Sequence, residues 1–220
     1  MLIGHYGAAL IGKSYAKRVS LGWMFVSVQL LDLIWPILVA AGVEHVEFVP
    51  ARNVFLSLHF INYPISHSLL GASVWAALAG FAYGRFSRDV QGGWAIACGV
   101  LSHWFCDAIV HQHDLPLLPN ARIEVGLGLW QSLPATLLVE GGLFLIGAAL
   151  YLRATSARDR TGVWLWWFLA ALMVATFALN LFPPPSSRLL LGILGFVSFA
   201  VPGMFAFWVD RHRVSEPILS

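Results

Sequence analysis

Residues 92–112 read GGWAIACGVLSHWFCDAIVHQ, an apolar run of membrane-spanning length with His103, Asp107 and His111 set into it. A transmembrane helix needs about 20 predominantly apolar residues. Positions 103, 107 and 111 are spaced i, i+4, i+8. On a helix of 3.6 residues per turn they fall within an arc of about 80° and share one face. An ionised Asp near the bilayer centre costs about 2.5–3.5 kcal/mol on insertion scales. A bound cation offsets that cost, so the run predicts a membrane helix carrying a polar, metal-binding site.

The rest of the chain agrees with a membrane setting. Its 220 residues are 59% hydrophobic and 11% charged, with mean hydropathy +0.76, whereas a soluble domain carries about 25% charged residues. The expected fold class is an all-α integral membrane protein, one transmembrane domain over residues 1–220. The sequence pI of about 8.7 does not argue for nucleic acid, because the basic residues occupy short loops between apolar runs, where topology explains them. Cys98 and Cys106 lie eight apart on one predicted helix, too far apart to pair, and read as small buried hydrophobes. The opening MLIGHYGAAL lacks a basic n-region, so no cleaved signal peptide is expected.

Six spans are predicted, over 19–41, 63–84, 92–112, 132–152, 162–182 and 188–209. Orientation follows from Lys and Arg. With both termini cytoplasmic, the inner loops hold Lys13, Lys17, Arg18, Arg85, Arg88, Arg153, Arg158, Arg160, Arg211 and Arg213, and the outer loops only Arg52, Arg122 and Arg188. The segment LIGHYGAALIG before Lys13 is too short to span. It reads as a half-helix dipping in from the inner side, or as an amphipathic interfacial helix. Trp23, Trp35, Trp94, Trp130, Trp164, Trp166, Trp167 and Trp208 fall mainly near predicted helix ends, as an interfacial belt does.

Depth, counted at 1.5 Å per residue from the inner basic loops, brings polar residues of different helices together. Asp32 comes out at roughly 21 Å, Asp107 at 22 Å, His103 at 16 Å, Glu140 at 20 Å, His67 at 27 Å and His5 at 18 Å. All lie in the middle-to-outer half of a core about 30 Å thick. Singly, each has a duller reading, a hydrogen-bonded packing histidine or a protonated carboxyl. Three carboxyl residues and three histidines at one depth, with no intramembrane Lys or Arg to pair with them, point to a divalent cation. Mixed His and carboxylate donors suit zinc, manganese or iron better than magnesium or calcium. His111 shares the His103–Asp107 face and is a candidate ligand or proton shuttle. His113 and Asp114 also suit a helix end, His59 stands close enough in sequence to reach the mouth, and His45 and His212 carry no role.

Four segments in order resemble a known family: Gly4-His5-Tyr-Gly, Leu30-Leu-Asp32-Leu-Ile-Trp-Pro36, Ile65-Ser-His67-Ser-Leu-Leu-Gly71, and Leu101-Ser-His103-Trp-Phe-Cys-Asp107 followed by LPLLP. Together they resemble the LexA-binding, inner-membrane-associated hydrolases, also described as membrane-bound metal-dependent hydrolases and grouped with zinc-dependent phospholipase C and P1-type nucleases. The resemblance covers roughly residues 1–120. It implies a bacterial inner-membrane, multi-pass protein in which His5, Asp32, His67, His103 and Asp107 are metal ligands and the reaction is hydrolysis of a phosphoester, on a phospholipid or other lipid-linked substrate. The chain also departs from the family. Where members read Asp-x-Asp-His-Pro it has Ile34 and Trp35 in place of the second Asp and the His, and Asn62 stands where another His is expected.

The leading expectation is therefore an intramembrane metal-dependent hydrolase, zinc its first choice of ion, with the metal on His5, Asp32, His67, His103 and Asp107. Glu140 and His111 are the expected catalytic groups, Glu140 as base or outer carboxylate. A lipid-like substrate would enter laterally. The site region spans about 1–150, and 153–220 adds two further spans. Two competitors stand beside it. One is a catalytically degenerate member serving as a subunit of a membrane complex, favoured by the missing ligands. The other is haem binding or transport through His67 and His103, disfavoured by the carboxylates.

Overall fold

A computed structural model describes residues 1–49, 54–119 and 123–216. Arg52 and Arg122, two of the three basic residues expected outside, lie beyond the described residues. Among the described residues nine α-helices dominate: α1 Ile3–Tyr15, α2 Leu21–Val28, α3 Leu30–Ala40, α4 Pro64–His67, α5 Leu69–Ser87, α6 Val90–Val110, α7 Leu133–Ala154, α8 Arg160–Leu179 and α9 Arg188–Arg211. Three two-stranded antiparallel ribbons decorate the loops. They pair β1 His45–Phe48 with β2 Leu58–Asn62, β3 Leu115–Pro116 with β4 Glu124–Val125, and β5 Thr155–Ala157 with β6 Arg213–Ser215. All six strands lie outside the predicted spans.

Helices α6, α7, α8 and α9 are each long and apolar enough to cross a membrane, and α2 with α3 makes a fifth candidate as a pair bent by 50°. At 1.5 Å per residue, 20–24 residues cover about 30–36 Å, the thickness of a hydrocarbon core. Beside the six spans expected, four helices, or five with the bent pair, are long and apolar enough among the described residues. The difference is the predicted helix 63–84. It is broken at Ser68 into α4 and α5, and α5, with Arg85, Tyr83 and two serines, is less apolar than the others. Its exposed face is nevertheless greasy, with Leu70, Val74, Leu78 and Phe81 turned outward. The predicted helix 19–41 is likewise interrupted, at Gln29.

Capping explains where most helices begin. Ser20, Ser68, Asp89, Ser132, Asp159 and Ser187 each accept a hydrogen bond from the backbone N–H three residues on, at the starts of α2, α5, α6, α7, α8 and α9.

Helix α1 occupies the interior rather than the surface. Ile3, Gly4, His5, Tyr6, Gly7, Ala9, Leu10 and Lys13 are buried along it, which excludes the interfacial alternative. It packs against α7, α2 and α6. A Cβ on Gly7 would lie 2.6 Å from the Leu143 carbonyl oxygen, so two small residues, Gly7 and Gly147, let the backbones of α1 and α7 meet. The half of the core nearest the basic loops gathers Tyr6, Phe25, Tyr151, Trp166 and Met173, and the far half Leu31, Trp35, Tyr63, Val100 and Trp104. Among the tryptophans, Trp23, Trp94, Trp164, Trp167 and Trp208 are exposed, as a belt requires, whereas Trp35, Trp130 and Trp166 are buried core residues. At the basic end, Lys13 donates to the Lys17 and Val19 carbonyls and faces Asp210, and buried Arg213 donates to Thr155 while lying over the Tyr151 ring.

Candidate metal centre

The buried stripe of α6 runs through Gly92, Ile96, Gly99, Val100, His103, Asp107 and Val110. This is the i, i+3, i+4, i+7 pattern of an inward face, and it carries both predicted ligands of α6 to the bundle interior. Burial of α1 brings His5 to the same place, its ring stacked on that of His103 with centroids 3.8 Å apart. The other two candidate ligands come from helix breaks. Asp32 stands in the first turn of α3, just past the bend at Gln29, where the N-terminal end of the helix dipole favours a carboxylate. Its neighbour Pro36 has no N–H to offer the Asp32 carbonyl. His67 is the last residue of α4, before the break at Ser68. Non-helical backbone at membrane depth is tolerated where it lines a cavity or a site.

All five predicted ligands converge. His103 Nε2 is 3.0 Å from Asp107 Oδ2, 3.3 Å from His67 Nε2 and 3.7 Å from Asp32 Oδ1. His67 Nε2 is 3.4 Å from Asp32 Oδ1 and 3.7 Å from Asp107 Oδ2, and His5 Nε2 is 3.1 Å from Asp107 Oδ1. Two overlapping triads result, His5–His103–Asp107 and Asp32–His67–His103. Donors held about 2.1 Å from a common tetrahedral ion lie about 3.4 Å from one another, which these separations bracket. The amino group of Met1 also contacts Asp107 Oδ1, a cationic neighbour that the sequence reading did not foresee.

The outer partners fix which ring nitrogens face inward. His103 Nδ1 lies 2.6 Å from the Val28 carbonyl oxygen, which can only accept, so Nδ1 carries the hydrogen. For His67 the chain is longer. Glu44, 1% exposed, accepts from the Ile65 and Ser66 backbone N–H groups at 2.8 Å each and from the Ser66 hydroxyl at 2.6 Å. With its proton committed to Glu44, Ser66 Oγ accepts from His67 Nδ1 at 2.7 Å. Both imidazoles therefore turn Nε2 toward each other and toward two carboxylates. The Met1 amino group already sets one positive charge against Asp107, and an outer carboxylate or carbonyl behind each histidine is the arrangement that orients metal ligands. The donor set fits a divalent ion of the zinc, manganese or iron type. Sequence reasoning missed Glu44 and Ser66 because both lie in segments read as a linker and a helix start.

The two predicted catalytic groups lie at the edges of the cluster. Glu140, fully buried on α7, accepts from the Leu2 and Gly4 backbone N–H groups at 2.6 and 3.2 Å, so it caps the start of α1; its other oxygen has no hydrogen-bond partner among the described residues. His111 ends α6 with Nδ1 3.1 Å from Asp114 Oδ1 and 3.4 Å from the Tyr63 hydroxyl, against the Trp130 ring. His59 does not approach the mouth. Alternation along β2 turns Leu58 and Phe60 inward and leaves His59 exposed beside Glu47. His113 and Asn62 are exposed, Asp114 serves His111, and Ile34 and Trp35 add no ligand atom to the cluster.

A cavity of about 620 Å³ adjoins the cluster, with Asp32, His67, Asp107 and His111 in its wall. No curated protein and no solved structure matches the chain. The family model described as YdjM inner membrane protein matches residues 64–182, more than half of the chain. The matched stretch runs from α4 through α8 and holds His67, His103, Asp107, His111 and Glu140, while His5 and Asp32 precede it. With several apolar helices long enough to cross a bilayer, this is an integral membrane protein, and the chain belongs to the YdjM inner membrane protein family.

Proposed function

We propose that this protein is a membrane-embedded metal-dependent hydrolase acting on a phosphoester, oriented with both termini on the cytoplasmic side. The observation that carries the reading is the convergence of His5, Asp32, His67, His103 and Asp107, with Nδ1 of His67 and His103 turned outward to Ser66 and Val28 and Nε2 turned inward. Bound there, a divalent ion would supply Lewis acidity toward a phosphoryl oxygen and lower the pKa of a coordinated water. The chain's own residues do the rest. The Glu44–Ser66 pair and the Val28 carbonyl hold the two imidazoles in one tautomer. Glu140, with one oxygen unpartnered among the described residues, and His111, at the cavity wall between Asp114 and Tyr63, stand where a proton could be taken up or delivered.

The test is hydrolysis of bis(p-nitrophenyl) phosphate by zinc-loaded protein in lipid nanodiscs, compared with His103→Ala. Turnover that requires both zinc and His103 supports the reading, and equal background rates refute it. A second reading, a catalytically silent subunit of a membrane complex, is favoured by Ile34 and Trp35, which contribute no ligand, and by exposed Asn62. Stoichiometric co-purification of a membrane partner without turnover would select it.

A further inference from the structure

The ionisable side chains lining the cavity beside the cluster are Asp32, His67, Asp107 and His111, whereas Thr176, Asn180 and Ser198 on the opposite wall hydrogen-bond to carbonyls of their own helices. Leu172, Leu179, Leu191, Leu194, Val197 and Phe199 line much of the remainder. The apolar wall belongs to α8 and α9. Along α9 it extends from Leu191 to Pro202, eleven residues or about 17 Å of helix rise, close to half of a hydrocarbon core about 30 Å thick. Since α9 starts at Arg188, opposite the loops that hold most of the basic residues, the cavity occupies the half of the span away from those loops. Its length is that of one leaflet. Leu179 and Phe182 at its rim are 71% and 66% exposed, so the apolar wall continues onto the face that α8 presents outward.

A further polar group lining the cavity comes from α3. Trp35 lines the cavity, is 7% exposed, and its indole N–H has no acceptor among the described residues. A buried N–H without an acceptor costs about 1–3 kcal/mol, and an oxygen-rich ligand would satisfy it.

We infer that the cavity binds a lipid phosphoester drawn from the bilayer. Its hydrocarbon chain lies between α8 and α9 and its phosphate at Asp32, His67, Asp107 and His111, with Trp35 donating to a phosphate oxygen. The inference rests on the metal-centre reading for the position of the head group and names the substrate class for that centre. It gives α8 and α9 a task, the seating of the chain.

The experiment uses full-length protein in lipid nanodiscs and an alkyl phosphate carrying a diazirine near the end of its chain. Photolysis is followed by peptide mapping, with metal content measured on the same samples. Label concentrated on residues 172–179 and 191–202 supports the inference, as does its loss by about tenfold in Leu194→Trp and in Val197→Trp with metal content unchanged. A Trp35→Phe variant should weaken capture of the alkyl phosphate but not of the matching alkyl alcohol. Label spread evenly over lipid-facing residues such as Phe105, Leu138 and Leu145 overturns it even if metal is bound. Label focused on α8 and α9 in protein that binds no metal overturns the metal reading and leaves a lipid site.

Discussion

Replacing Ser66 by alanine removes the hydroxyl that joins Glu44 to His67, and the structure sets the consequences. His67 Nδ1 loses the acceptor 2.7 Å away, and Glu44 Oε2 loses the donor 2.6 Å away. Both groups are buried, and leaving a buried polar group unsatisfied costs about 1–3 kcal/mol. Outer partners of metal-bound histidines are worth about 10–100-fold in metal affinity, or about 1.4–2.7 kcal/mol. Ser66→Ala should therefore bind zinc about 10–100-fold more weakly. Glu44→Gln provides the sharper version. The amide oxygen can still accept from the Ile65 and Ser66 N–H groups, so the turn survives. The amide NH₂, however, must donate to Ser66 Oγ, whose own proton then points at His67 Nδ1. That forces the imidazole hydrogen onto Nε2, into the metal position. Glu44→Gln should lose at least as much affinity as Ser66→Ala while unfolding at nearly the native temperature, and Ser66→Thr should retain native affinity. The assay is competition against a chromophoric zinc chelator, with thermal unfolding in parallel. Native zinc affinity in both Glu44→Gln and Ser66→Ala would refute the orientation argument.

Three other predictions follow from separate parts of the molecule. Gly7→Val should force α1 away from α7, because a Cβ there meets the Leu143 carbonyl at 2.6 Å; the expected result is a lower Tm together with weakened zinc binding through His5, and native values for both would contradict the packing. Glu140→Ala strips the acceptor from the Leu2 and Gly4 N–H groups and should lower stability by about 1–3 kcal/mol, whereas Glu140→Gln keeps an acceptor oxygen, so loss of turnover with an unchanged Tm would mark Glu140 as a base. At the basic end, hydrogen bonds from His212 and from the Gly162 N–H hold the Asp159 carboxyl below the usual carboxylate range. A depressed carboxyl stabilises the fold above its unfolded pKa and loses that contribution as pH falls through the folded value, so Asp159→Asn should flatten the decline of Tm below about pH 4.

That His5, Asp32, His67, His103 and Asp107 come together was legible in the sequence because ionisable residues are costly in an apolar run; their roles as ligands are what the resemblance implies. His103 and Asp107 announce themselves by helical spacing, and depth counting brought Asp32, His67 and His5 to the same level before any coordinates. The helix breaks were not legible. Gln29 interrupts 19–41 without Gly or Pro at the break, and Ser68 reads equally as a helix interior or a cap, so both segments looked continuous. Glu44 lay hidden in a stretch that reads as a polar linker, and its role depends on a chain reversal that brings it under α4. Residues 153–220 yielded only two apolar helices, since an apolar wall facing a cavity has the same composition as one facing lipid. Glu140 was placed at the right depth, but its hold on the start of α1 depends on contact between segments more than 130 residues apart.

The central claim is that the five-residue cluster is a metal centre. Full-length protein purified in lipid nanodiscs, beside an Asp107→Asn variant, would be assayed for bound metal by mass spectrometry. The account predicts stoichiometric zinc, manganese or iron in the native protein and its loss in the variant. A native protein that retains no metal after loading, or a variant that retains as much as the native chain, would contradict it.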